Sequence, residues 1–232
     1  MKRFYKQAGS ARAEGGHSVL LDGRPVRTPA RALLVAPTAA LAAAIAQEWQ
    51  EQGETIAPAT MPLMRMTATA IDRVPGQRAA VEADLLGFAA SDLLCYRAAS
   101  PAELAERQAR LWQPVLDWAA LRLDAALLVT QDLAHVEQPP QALAALARRL
   151  EALDALELTA VHTVTVSTGS LVLALALLEG EIDAAAAFAA GHADELYGLE
   201  VWGEDAEARV RLDALAAEIA AAERLLSLLR TA

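Results

Sequence analysis

The sequence has little cysteine and few aromatic residues. Cys95 is the single cysteine, which excludes an internal disulfide and favours a reducing compartment. It lies in an apolar run, so we expect a buried and unreactive thiol. Aromatic residues make up 4% of the chain, whereas hydrophobic residues, many of them alanine, make up 55%. This composition predicts a globular, mostly helical protein with an aliphatic core.

Sequence motifs of common catalytic sites are also missing. There is no phosphate-binding Gly-x-x-x-x-Gly-Lys-Ser/Thr loop, no Gly-x-Gly-x-x-Gly fingerprint and no Gly-x-Ser-x-Gly nucleophile elbow. The histidines form no His-Glu-x-x-His pair and have no Cys-x-x-Cys cluster beside them. These absences argue against an enzyme but do not exclude one.

Two histidine sites are the remaining candidates for chemistry. His192, Asp194 and Glu195 fall within one helical turn and form a partial metal-ligand set, although a solvated helix face is the expected structure. His162 lies in an apolar segment, where a hydrogen-bonded core histidine is expected. A metal-dependent or hydrolytic enzyme that uses the first three residues stays open as an alternative.

A long, purely apolar run is absent as well. The one serious membrane candidate, residues 158–178, has no Asp, Glu, Lys or Arg but many Thr and Ser, and its apolar part, residues 171–178, is too short to cross. It therefore predicts a buried core segment. The N-terminus has no apolar stretch behind its positive charges, so neither a secretory signal nor a mitochondrial leader is expected. We expect a soluble protein.

Acidic residues are in excess, with a formal net charge of −10 and a pI of about 4.9. Because phosphate backbones and anionic lipids repel such a chain, binding to nucleic acid or to a membrane surface is not expected. A protein partner with basic or mixed charge fits better.

The first third of the chain carries the signals of strands. Residues 17–21 and 24–28 flank Asp22-Gly23, the dipeptide of a two-residue type I′ turn, and therefore predict a β-hairpin. Residues 4–6 and 32–35 are predicted as further short strands. Together they indicate a small α+β domain.

One helix completes this domain. Thr38 is a suitable N-cap, and Leu41, Ile45 and Trp49 recur at four-residue spacing on one face. We expect Gly53 to end this helix.

The remainder of the chain shows helical patterns. Residues 100–103, Ser-Pro-Ala-Glu, form a capping box that predicts a helix start, and Pro114 is expected to kink or interrupt that helix. Further helices are predicted over residues 140–153 and 170–178, the second of them ended by Gly180.

The last helix has the clearest periodicity in the sequence. Its apolar residues are spaced by three and four positions, and a stripe this short is expected to pack on its own domain rather than in a coiled coil. A homo-oligomeric scaffold assembled through this helix stays open as an alternative. The stripe comprises Leu212, Leu215, Ile219, Ala222, Leu226 and Leu229.

Acidic and aromatic residues lie close together in residues 194–203. Tyr197 and Trp202 have apolar bodies with polar atoms, a combination favoured at protein interfaces. From the residues alone, the simpler interpretation is that Trp202 closes a core at a helix end and that the acids are solvated.

Several short motifs in a fixed order carry a family resemblance. Each is weak alone, but their order and spacing from residue 3 to about residue 203 make the chain resemble the family of F1-ATPase (ATP synthase) α-subunit assembly chaperones. The motifs are Arg-Phe-Tyr-Lys at 3–6, Asp-Gly-Arg at 22–24, Glu-Trp-Gln-Glu-Gln at 48–52, Met-Pro-Leu at 61–63, Thr-Ala-Ile-Asp-Arg-Val at 69–74, Ser-Asp-Leu-Leu-Cys-Tyr-Arg at 91–97, the Gln, Trp and Pro residues of 108–118, Thr-Gly-Ser-Leu at 168–171, and the Asp-Glu-Leu-Tyr to Trp-Gly stretch at 194–203.

The resemblance implies both a fold and a function. The expected fold is a small α+β domain, residues 1–72, followed by a mainly α orthogonal helical bundle, residues 73–232. The expected function is a chaperone that transiently holds the new α subunit until β subunits replace it, with no catalytic residue, cofactor or metal. Without an import leader, the chain resembles the bacterial, cytoplasmic members; eukaryotic members work in the mitochondrial matrix. We expect a monomer.

The resemblance also implies a partner-binding segment. Its residues in this chain are Glu195, Tyr197, Glu200 and Trp202, of which Trp202 is expected to be a packing residue. Gly198 departs from the polar side chain, such as glutamine, that is expected at its position, and this changes the chemistry of that face.

Overall fold

A computed structural model describes residues 1–131, 134–203 and 205–231. A small antiparallel sheet near the N-terminus is followed by a helical region, and the chain is mostly helical, which confirms the predicted fold class. Backbone contacts separate the chain into two units. The first comprises Met1–Arg78, Ala155–Ala160 and Arg224–Ala232; the second comprises Ala79–Asp154 and Val161–Glu223. The division after residue 72 stays a prediction.

The predicted hairpin is present in the first unit. Strand β2 (Gly16–Leu21) pairs antiparallel with β3 (Arg24–Pro25). Asp22 and Gly23 have φ angles of 46° and 78°, the positive pair that a type I′ turn requires, which confirms the turn. Strands β1 (Ala8–Ala13) and β4 (Val35–Ala36) also pair with β2, so β2 lies at the centre of the sheet.

The strand predicted over residues 4–6 is wrong, because the first strand begins at Ala8. The amides of Lys6 and Gln7 donate to the carboxylate of Asp22 at 3.1 and 2.9 Å. A side chain therefore takes the donors that a neighbouring strand would otherwise use. The strand predicted over 32–35 is shorter and later than expected, since β4 covers only two residues.

Helix α1 (Ala39–Gln50) begins as predicted, with the Thr38 hydroxyl accepting from the Leu41 amide at 3.2 Å. It does not extend to Gly53. The side-chain amide of Gln52 donates to the Glu48 carbonyl at 3.0 Å, which takes an acceptor at the end of the helix. The predicted face of α1 is buried and comprises Leu41, Ile45 and Trp49.

Nine helices follow α1 in the described chain. Their bounds are α2 Pro62–Asp72, α3 Val74–Ala90, α4 Ala102–Leu123, α5 Pro140–Glu151, α6 Ala155–Thr168, α7 Leu171–Glu179, α8 Ala184–Gly191, α9 Ala193–Trp202 and α10 Ala206–Leu229.

Helix α4 begins where the sequence predicts but in a different way. Pro101 occupies the N-cap position and no side chain caps the helix, so the capping box is wrong. The helix also continues through Pro114 without interruption. A proline in a helix interior costs about 3 kcal/mol. Burial of Trp112, Leu116 and Ala119 on this helix offsets that cost, since tertiary packing decides most helical stability.

Helix α7 agrees with its prediction. Ser170 caps it by accepting from the Leu173 amide at 3.0 Å, and Gly180 ends it with a φ of 77°. All residues of 171–178 are buried. Within the described ranges, no helix is long and apolar enough to cross a membrane.

A buried carboxylate supports the N-terminus of α7. Asp92 is fully buried and accepts from the amides of Leu94 at 3.1 Å and Val172 at 3.2 Å. Burial raises the pKa of Asp92 to about 6, against the opposing effect of these hydrogen bonds. Nearby Cys95 is buried as predicted, and burial raises the pKa of its thiol to about 12.

Two further predictions about buried residues have different outcomes. Leu212 and Ile219 of α10 are fully buried and Leu226 nearly so, which confirms that this helix packs on its own chain. His162 is not a core histidine. Its side chain is partly exposed, with Nε2 3.4 Å from a carboxylate oxygen of Asp84, because this position of α6 faces away from the core.

Candidate partner-binding site

The candidate segment forms helix α9, which follows α8 almost without a break. Asp194 and Glu195 lie in the first turn of α9, where negative charge complements the helix dipole. Gly191, at the end of α8, contacts Thr168 so closely that an added Cβ would lie 2.8 Å from the Thr168 Cβ. This close contact between the end of α8 and α6 therefore requires glycine.

Two buried polar contacts attach α9 and the end of α8 to α4. Gln108 is fully buried, and its side chain donates to Asp194 Oδ1 at 2.6 Å and accepts from the Ala98 amide at 2.7 Å. One turn later, Trp112 Nε1 donates to the Ala190 carbonyl at 2.8 Å. Gln108 and Trp112 belong to one of the sequence motifs, and the structure shows that this motif positions α9.

Glu200 is paired within the chain, which the sequence does not predict. The Arg107 guanidinium of α4 donates to both of its carboxylate oxygens, at 2.9 and 2.5 Å. The hydrogen bond to Arg107 lowers the pKa of Glu200. Arg107 also lies 5.5 Å from the centre of the Tyr197 ring, in a cation–π contact. Glu200, Arg107 and Tyr197 therefore form one cluster at the surface.

Glu195 is also paired. Its Oε2 accepts from the Arg211 guanidinium of α10 at 2.6 Å and lies 3.8 Å from His192 Nδ1. Both side chains are about half exposed, so the pair contributes little to stability. The two predicted acidic contacts are thus already neutralised by arginines in the free protein.

Trp202 is not a packing residue: it is 82% exposed. Its indole lies beside Gly198 one turn earlier, where an added Cβ would be 3.1 Å from the ring. The absence of a side chain at 198 leaves room for the ring to lie along α9. Val201, next to it in sequence, is also exposed, at 53%. A tryptophan exposed beside other apolar residues is typical of an interaction surface.

The three residues of the enzyme alternative do not converge on one point. His192 is buried and stacks at 4.9 Å against Phe188, and burial lowers its pKa, so the prediction of a solvated face is wrong for this residue. Asp194 is bound to Gln108 and Glu195 to its arginine. In the part of the chain that the structure describes, no group of three His, Cys, Asp or Glu residues is placed to hold a metal ion.

We give the name α9 surface to the half-buried and exposed side chains of this region, namely Tyr197, Val201 and Trp202 with the Glu195–Arg211 and Glu200–Arg107 pairs. Aromatic and arginine side chains beside exposed ion pairs suit protein binding. The arginines lie 16 and 93 residues from their partners in sequence. No periodicity or motif links such distant positions, so sequence reasoning missed them.

Comparisons with known proteins agree with this geometry. The sequence model of the ATP12 chaperone protein family matches residues 2–120. The crystal structure of Atp12 from Paracoccus denitrificans is 43% identical, with a TM-score of 0.92 over 99% of this chain and 98% of that one. A mutant of the same Atp12p gives 42% identity and the same TM-score and coverage. A chaperone candidate from Agrobacterium tumefaciens is 45% identical, with a TM-score of 0.94 over 99% of this chain and 86% of that one.

Proposed function

The chain belongs to the ATP12 chaperone family, and from this premise we propose that it binds the unassembled α subunit of F1-ATPase. In this proposal it shields the surface of α that will contact β and promotes assembly of the F1 hexamer. It acts without catalysis, cofactor or nucleotide hydrolysis, as a monomer in the bacterial cytoplasm.

The observation that supports this proposal best is the exposure of Trp202 on the α9 surface. An unassembled α subunit exposes apolar surface that will be buried against β, and such surface aggregates. A chaperone needs apolar groups of its own to cover it. Trp202 offers a large ring with one polar atom, which buries well at low cost in conformational entropy.

The ion pairs of the α9 surface can be exchanged for ion pairs with α. Glu195–Arg211 and Glu200–Arg107 are exposed ion pairs that water screens, so opening either of them costs little. Basic groups of α can then bind Glu195 and Glu200 in place of the chain's own arginines. Acidic groups of α can in turn bind Arg211 and Arg107. Such exchange favours discrimination between partners more than high affinity. Moderate affinity is what a chaperone needs if β is to displace it.

Co-expression with the α subunit alone tests the proposal. We expect α to remain soluble and to co-purify with the tagged chain, because the chain covers the surface through which α aggregates. Expression of α with the tag alone is the control. If α precipitates equally with and without the chain, the proposed function is wrong.

A further inference from the structure

Charge is divided very unevenly along the chain. The first unit contains 12 Lys and Arg against 7 Asp and Glu, a formal charge of +5. The second contains 8 against 23, a formal charge of −15. The net charge of −10 is therefore the sum of a basic and an acidic unit, and the α9 surface belongs to the acidic one.

The first unit also contains a groove of about 680 Å³. The N-terminal segment, the β2–β3 hairpin and the end of α1 form its walls. We call it the hairpin groove. Its apolar lining includes Phe4, Leu21, Pro25, Val26 and Trp49, and its cations are Arg24 and Arg27.

Phe4 is held in an exposed position at this groove. It is 65% exposed, yet the backbone is fixed on both sides: the Arg3 amide donates to the Glu54 carbonyl at 2.8 Å, and the Lys6 amide donates to Asp22 at 3.1 Å. The Phe4 ring also packs edge-on against Tyr5 at 5.4 Å. An aromatic side chain fixed in this way loses little entropy when a partner covers it.

The two arginines of the groove outnumber its one acid, Asp22. Arg24 and Arg27 are exposed and form no ion pair with any described residue, although Arg27 donates to the Arg31 carbonyl at 2.7 Å. Asp22 is the acid that lines the groove, and its carboxylate already accepts from the amides of Lys6 and Gln7. An incoming carboxylate would therefore meet two guanidinium groups that favour it.

We propose that the hairpin groove is a second docking site for the client, and that it takes a segment of the α subunit in which Asp or Glu flanks an apolar side chain. The inference rests on the proposed function. An apolar lining beside two guanidinium groups fits such a peptide better than a polyanion, which has no apolar side chain to cover Phe4 and its neighbours. Two surfaces of opposite charge on one chaperone would recognise different parts of the same client.

Matched single substitutions test this site. Arg24→Glu reverses a charge in the groove, Phe4→Ala removes the aromatic ring, and Arg12→Glu reverses an exposed charge of β1 outside the groove. Binding of purified α would be measured by fluorescence anisotropy at two salt concentrations, with thermal melting as the check on folding. We expect Arg24→Glu and Phe4→Ala to raise Kd roughly fivefold or more, and Arg12→Glu less than about twofold.

The outcomes separate this inference from the proposed function. If the wild-type chain does not bind α, the proposed function itself fails. If it binds α and the groove variants bind equally well, or if Arg12→Glu weakens binding as much as Arg24→Glu, the groove is not a docking site. Binding of wild-type chain to vesicles rich in phosphatidylglycerol that Arg24→Glu abolishes, with α binding unchanged, would show a membrane site instead and overturn the inference.

An array of overlapping 15-residue peptides from α identifies the segment. We expect the wild-type chain to retain peptides that contain Asp or Glu beside Leu or Phe, and the Arg24→Glu variant to lose that subset selectively. Retention of the same peptides by both proteins would contradict the proposed chemistry.

Discussion

Replacing Trp202 by alanine separates the contribution of the α9 surface to binding from its contribution to stability. The residue is 82% exposed, so less than a fifth of its surface is covered in the free protein. With ~250 Å² for a tryptophan and ~25 cal/mol per Å², truncation costs roughly 1 kcal/mol of folding free energy. For a chain of this size that corresponds to a fall in Tm of about 2–4 °C.

The expected effect on binding is larger. Truncating a tryptophan at the centre of an interface typically costs about 2 kcal/mol or more, which raises Kd roughly 30-fold. Isothermal titration of purified α into wild-type chain and into the Trp202→Ala variant measures this difference directly.

Leu121 of α4 provides the matched control, since it is apolar and also 82% exposed. It lies 14 residues along α4 from Arg107, about 21 Å at the rise of an α-helix. We expect Leu121→Ala to leave Kd within about twofold of the wild-type value. Equal affinities of the Trp202→Ala and wild-type proteins would refute the reasoning, and so would equal losses in both variants.

Three further predictions follow from the same contacts. Glu195→Lys should reduce co-purification of α, because it replaces an acidic group proposed to meet basic groups of α by a cation. Tm should change little, because the Glu195–Arg211 pair is exposed; unchanged co-purification or early melting would contradict this prediction. Gly198→Ala should raise the free energy of unfolding by up to about 1 kcal/mol, because alanine favours the helix. Its methyl group should also displace the Trp202 ring and thereby weaken α binding. Iodide quenching of tryptophan fluorescence reports the position of the ring, and an unchanged ring environment would contradict this prediction. The pKa of Asp92 is raised to about 6 in the folded chain, so its protonated form is favoured by folding and this stabilisation is lost as pH rises from about 4 through 6. The free energy of unfolding of wild type minus that of Asp92→Asn should therefore fall by about 2 kcal/mol between pH 4 and pH 7, and a flat difference would contradict it.

A structural feature can be predicted from a few neighbouring residues where only certain residue types meet its local geometric requirement. Asp22-Gly23 supplies two positive φ angles, and Ser170 and Gly180 begin and end α7, so these features are predictable from a few residues. The missed strand β1 has no such signal. Its apolar residues are alanines, which do not favour strands, and it is a strand because it pairs with β2.

The candidate site depends on contacts between distant residues. The segment itself is found through family resemblance, but its electrostatic state is set by Arg107 and Arg211 from two other helices. The exposure of Trp202 is equally hard to predict, because a tryptophan at the end of a helix is normally assigned to a core. Gly198 is the one local signal, since it leaves space for the ring.

Displacement by β tests the central claim most directly. A complex of the chain with purified α would be titrated with the β subunit, and the α still bound to the chain would be measured by size-exclusion chromatography. The account predicts that bound α falls to near zero as β is added, while α and β appear together in a larger complex and the chain elutes alone. Bound α that stays constant, or a complex in which the chain remains with both subunits, would contradict it.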